Sequence, residues 1–77
     1  MIVFSISDEE YQRLVQLHKR TSDRRRADRI KAVLWLAKGW TVEDVAEVIL
    51  VDDVTVRRWH KEYREGGEDR LILMRNK

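Results

Sequence analysis

Apolar positions repeat with a helical period along most of this chain. Tyr11, Leu14, Val15 and His18 fall at i, i+3, i+4 and i+7, with Leu17 beside them. Ser7 precedes that stripe, and Glu10, three residues on, completes a capping-box signature. His18 stands near the helix end, where a cation is favoured. Its only histidine companion is the distant His60, so packing is expected rather than metal ligation. Lys19 to Asp23 reads as a turn, with Ser22 or Asp23 capping a longer helix that runs to about Lys38. Ala27, Ile30, Val33, Leu34 and Ala37 form one apolar face of that helix, and Ala32 and Leu36 lie nearly opposite. A helix apolar on two sides is usually sandwiched. One side is expected to meet the first helix and the other the pair of helices that follows. Gly39 fits the residue just past the helix end, where a left-handed conformation is cheap.

Residues 41–61, TVEDVAEVILVDDVTVRRWHK, divide into two short helical patterns. Val42, Val45, Ala46 and Ile49 make one stripe, capped by Thr41 and with Glu43 and Asp44 in the first turn. Val56, Trp59 and Tyr63 share one face of the second pattern, and Val54, Arg57, Arg58 and Lys61 the opposite face. Val51, Asp52 and Asp53 supply the turn between them, with Asp52 expected as the second helix's cap. Two short helices, a turn and a second helix with arginines on its outer face describe a helix-turn-helix. The small Ala46 lets the two helices approach closely. The bland alternative is a pair of amphipathic helices with a solvated basic face.

The remaining segments are the ends. Ile2 to Ile6 (IVFSI) and Leu71 to Met74 (LILM) are short β-prone runs. They could pair as a two-stranded ribbon across the termini, within one chain or between two. Gly66 and Gly67 are expected to end the last helix and loosen the chain before the second run. Trp35 lies on the polar strip of the long helix formed by Arg24, Asp28 and Lys31. Packing against the N-terminal run or Trp40 accounts for it simply, and a partner surface is the sharper reading. The expected fold is all-α with four helices, a single domain over residues 1–77 with its helix-turn-helix core at 41–65. Residues 66–77 are a tail or short strand, and the terminal ribbon is an optional addition.

Composition narrows the function. The chain has 77 residues, 43% hydrophobic and 39% charged, enough for one domain with a modest core. It has no cysteine, hence no disulfide framework and no thiolate metal site. Neither a signal-peptide pattern nor an apolar run of about 18 residues occurs, so a cytoplasmic, nucleoid-associated location without membrane contact is expected. The net charge of +2 matters less than its distribution. Lys19, Arg20, Arg24, Arg25, Arg26, Arg29 and Lys31 cluster against only Asp23 and Asp28, and Arg57, Arg58, Lys61 and Arg64 form a second basic group. Segregated basic patches suit a polyanion even in a nearly neutral protein.

From about Ser5 to Leu71 the chain resembles the N-terminal DNA-binding region of insertion-sequence transposases of the mariner-like superfamily, a homeodomain-like and paired-domain-like arrangement. The resemblance rests on RRRADRIKAVLWLAKGWTVEDVAEVIL, on TVRRW, on the EGG that follows, and on Ser7-Asp8-Glu9-Glu10 as the S-x-E-E helix start. It implies a module that binds the terminal inverted repeats of a mobile element. In that family a second helix-turn-helix and a metal-dependent catalytic domain follow, so this chain is expected to bind without chemistry and without a cofactor. Two departures from the pattern stand out. Leu50 stands where the turn normally carries glycine, which implies a rebuilt turn or a slightly extended helix, and Asp52-Asp53 opens the recognition helix.

The candidate base readers are Asp53, Val54, Thr55, Arg57, Arg58 and Lys61. Val54 can meet a thymine methyl, Asp53 can accept from cytosine, and an arginine can bridge a guanine edge. Arg24, Arg25, Arg26 and Arg64 are candidate phosphate contacts. The partner is double-stranded DNA, with a homodimer through the Ile2–Ile6 and Leu71–Met74 strands or through Trp35 left open. A dimeric transcriptional regulator and a protein-interaction bundle that has lost DNA binding are the alternative functions.

Overall fold

Three of the helices begin where a side chain takes up free backbone N–H groups, as the capping signals require. In a computed structural model, which describes residues 5–72, the helices are α1 (Asp8–Arg20), α2 (Arg24–Ala37), α3 (Val42–Ile49), α4 (Asp53–Gly66) and α5 (Glu68–Ile72). Ser7 Oγ accepts from the Glu10 N–H at 3.0 Å. Asp23 Oδ1 accepts from Arg25 and Arg26 at 2.9 and 3.2 Å. Thr41 Oγ1 accepts from Asp44 at 3.0 Å. Asp52 occupies the N-cap position of α4, but its side chain makes no capping bond. Lys19 and Arg20, expected in a turn, complete α1 instead.

The two apolar sides of α2 do meet different neighbours. Ile30, Val33 and Leu34 join Leu14 and Leu17 of α1, together with Tyr63 and Leu71, in one buried cluster. Ala32 and Leu36 join Val45 and Ala46 of α3 and Val56 and Trp59 of α4 in a second. The long helix is therefore the shared wall of two small cores. In a chain of this size most helical stability comes from such packing rather than from intrinsic propensity. Leu14, Val33, Val45 and Val56 are completely shielded from solvent.

The C-terminal segment departs from expectation. Gly67, at φ 72°, turns the chain directly into a fifth helix, so the described residues hold five helices rather than four. Leu71 and Ile72, read as the start of a strand, are helical, and Leu71 is 1% exposed within the first core. One helical turn carries Leu71 into apolar surroundings, whereas a strand would have left an unpaired edge. The two-stranded ribbon is not supported, and no strand occurs among the described residues. The rest of the two β-prone runs, residues 2–4 and 73–74, lies outside them.

Trp35 also resolves. Its ring stacks on Trp40 at 5.0 Å between centroids and 8° between planes, and Lys31 Nζ lies 5.8 Å from its centroid. The polar strip of α2 thus carries a tryptophan that is half-covered within its own chain, which removes the reason for a Trp35-mediated dimer. Among the described residues no helix is long and apolar enough to cross a membrane.

Candidate nucleic-acid interface

The turn between α3 and α4 sets the angle at which α4 is presented. Leu50 caps α3 in the left-handed region, at φ 69° and ψ 47°. Its N–H donates to the Ala46 carbonyl at 2.8 Å, and the Val51 N–H reaches the same oxygen at 3.0 Å. These are the bonds a glycine-ended helix makes. The turn is neither rebuilt nor reached by a longer helix; leucine adopts the glycine conformation, 87% exposed. A left-handed residue with a Cβ costs roughly 1–2 kcal/mol, which the two bonds and the α3–α4 packing offset.

Within this frame α3 and α4 bury Val45, Ala46, Val56 and Trp59 against α2. Ala46, 6% exposed, is small enough for the close approach that the sequence suggested. The opposite face of α4 is open. Val54 is 66% exposed, and Arg57, Arg58, Lys61 and Arg64 are all exposed, continuing one another at helical spacing. Asp53 and Thr55, at the start of the helix, are half-buried. An exposed helix face about one side chain wide, lined by a valine and long cations, fits the major groove of B-DNA.

Arg57 is not free in this arrangement. Its Nη2 donates to Glu43 Oε2 at 3.1 Å and lies 3.7 Å from Asp53 Oδ2. Asp53 therefore faces an arginine of its own helix, one turn on. Glu43 was not apparent as a site residue, because the pair joins α3 to α4 across 14 positions and no local spacing signals it.

Arg24, Arg25 and Arg26 form the exposed first turn of α2, away from the start of α4. Ile30 of α2 packs with Tyr63 of α4 in the first core, which brings the N-terminal half of α2 to the C-terminal half of α4. Asp23 is held below the usual carboxylate range, first by the Arg26 N–H and then by the Arg25 N–H. The Asp23 carboxylate already occupies the helix end, and the side chains of Arg24, Arg25 and Arg26 are the exposed cations around it. His60, half-buried on α4, has its pKa lowered by burial and then by the charge of Arg64. Among the described residues no cluster of His, Cys, Asp and Glu could hold a metal ion.

A helical domain whose last long helix offers a basic, open face beside a tight turn belongs to the helix-turn-helix class. The profile of the homeodomain-like domain family matches residues 23–72, more than half of the chain and all of α2 to α5. The chain belongs to that family, whose helix-turn-helix points to binding of double-stranded DNA. No curated protein and no solved structure matches it.

Proposed function

We propose that this chain binds double-stranded DNA sequence-specifically and without chemistry, as a module that recognises the terminal inverted repeats of a mobile element. The observation that carries the reading is the open face of α4, where Val54, Arg57, Arg58 and Lys61 stand together while the opposite face is packed on α2. The family match supports DNA as the partner. The inverted repeat as target rests on the resemblance of TVRRW and EGG, in their order and spacing, to insertion-sequence transposases.

In this mechanism the start of α4 enters the major groove. Val54 and Thr55 make apolar contact with base edges, and Arg57 and Arg58 reach guanine acceptors. Each arginine bidentate to guanine contributes roughly 1–3 kcal/mol of discrimination. Lys61 and Arg64 follow the groove outward, and Arg24, Arg25 and Arg26 hold phosphates to set the register.

The test is selection from a pool of random duplexes at two salt concentrations, with the retained fraction sequenced. An enriched motif of a few base pairs is expected, and Arg57→Ala and Arg58→Ala should lose it while Arg25→Ala weakens all duplexes alike. A palindromic motif bound by a dimer would favour the regulator reading over the transposon end. Retention that is salt-sensitive but unselective, or no retention at all, would overturn sequence-specific recognition.

A further inference from the structure

The basic face of α4 is not uniform in its electrostatics. Two carboxylates, from Glu43 and Asp53, lie at 3.1 and 3.7 Å from the same nitrogen of Arg57. Among the described residues Arg58 and Lys61 have no such ion pair. The three cations occupy one face at helical spacing, yet among the described residues Arg57 alone of the three forms ion pairs with two carboxylates.

Stability does not explain the arrangement. The side chains of Arg57 and Glu43 are 58% and 67% exposed, and exposed pairs of this kind contribute little to folding. What the pair does alter is how Arg57 meets a polyanion. Two carboxylates against one guanidinium leave a local group with no net attraction for phosphate. Glu43 accepts one N–H of Nη2, so the second Nη2 hydrogen can still pair with a neighbouring Nε or Nη1 hydrogen as a two-donor fork. A guanine edge offers two neutral acceptors and does not need the cation's long-range charge.

We infer that Glu43 is a specificity-determining residue: it orients Arg57 for base contact and withholds it from phosphates, which lowers binding to random DNA. The inference rests on the DNA-binding reading above and deepens it. General attraction to the duplex then falls to Arg58, Lys61, Arg64 and the α2 arginines, and Arg57 contributes discrimination. Glu43 stands in the first turn of α3, where Thr41 fixes the backbone through its bond to the Asp44 N–H. The carboxylate is thereby set on the α3 side of the α4 face, and Asp53 adds the second contact from within α4.

The experiment compares the full chain with Glu43→Gln, Glu47→Gln, Arg57→Ala and the double variant Glu43→Gln/Arg57→Ala. Each is titrated with the duplex enriched from the random pool and with a scrambled duplex, across a salt series. Glu47→Gln removes an equal charge from the exposed surface of α3 and controls for bulk electrostatics. Glu43→Gln should tighten scrambled-duplex binding several-fold beyond that control and lower the ratio of selected to scrambled affinity. Its log–log salt slope should steepen by about 0.9, the value of one added phosphate contact. In the Arg57→Ala background the excess effect should vanish. Equal behaviour of Glu43→Gln and Glu47→Gln, or an excess that persists without Arg57, overturns the inference while leaving DNA binding intact. Failure of the unaltered chain to retain any duplex at low salt overturns the DNA-binding reading and the inference with it. Circular dichroism and thermal melting of each variant separate both outcomes from misfolding.

Discussion

The Tyr63 hydroxyl of α4 donates a hydrogen bond to the Glu10 carboxylate in the first turn of α1, 53 residues earlier. Tyr63 is 4% exposed, so the bond ties the end of α4 to the first turn of α1 beside the first core. Glu10 was expected to reach back to its own cap residue. Its N–H does serve the cap, while its carboxylate is spent on a distant helix. Tyr63→Phe keeps the ring packing and removes the bond. A bond to a charged acceptor contributes about 1.5–3 kcal/mol when well shielded, and the half-buried Glu10 lowers that to about 1–2 kcal/mol. Urea denaturation should show that loss, and a cycle with Glu10→Ala, which removes the acceptor, should show coupling between the two positions. Additive effects would mean that the bond contributes nothing.

Leu71 is the residue that makes α5 part of the domain. It is 1% exposed among Leu14, Ile30, Val33 and Tyr63. Leu71→Ala should destabilise the chain by about 2–4 kcal/mol, the range for truncating a buried leucine. Amide exchange should speed up in α5 and at the end of α4. A change within a few tenths of a kcal/mol would show that α5 is not docked.

Leu50 offers the opposite sign. Glycine at this left-handed position removes the steric cost of a Cβ and gives up little packing, since the side chain is 87% exposed. Offset by the greater freedom of glycine in the unfolded chain, Leu50→Gly should stabilise by about 1 kcal/mol, read as a higher urea midpoint at unchanged slope. A drop in the midpoint would mean that the leucine side chain contributes contacts in the folded state.

Acid should weaken the fold in two separate windows. His60 has its pKa lowered from 6.5, first by burial and then by Arg64, so the unfolded chain takes up the proton more readily. The stability from keeping His60 neutral is present above about pH 6.5 and is lost as the pH falls below it. Asp23 has its pKa lowered from 3.8, so its contribution is present above that value and is lost as the pH falls through the lower, folded one. Denaturant midpoints measured from pH 8 to pH 3 should decline in the first window for the unaltered chain and stay flat there for His60→Gln. An unchanged decline in that variant would assign the pH dependence to another group.

Local physics made much of this protein legible in one dimension. A capping side chain and its N–H lie within three residues, so Ser7, Thr41 and one of Ser22 and Asp23 could be read as helix starts without knowing the fold, which then chose Asp23. The 3.6-residue period separates Val56, Trp59 and Tyr63 from Val54, Arg57, Arg58 and Lys61, so the buried and open faces of α4 followed from spacing alone. The two-sided apolar pattern of α2 likewise announced two cores. Tertiary structure decided the rest, because the remaining energies belong to pairs that meet only after folding. Whether Leu71 sits in a helix or a strand depends on the apolar space left by α1, α2 and α4. Whether Trp35 is a partner surface depends on Trp40 folding back over it, and whether Glu10 serves a cap or a tyrosine depends on where α4 ends. The charge that Arg57 presents on the open face of α4 depends on Glu43, 14 residues away on another helix.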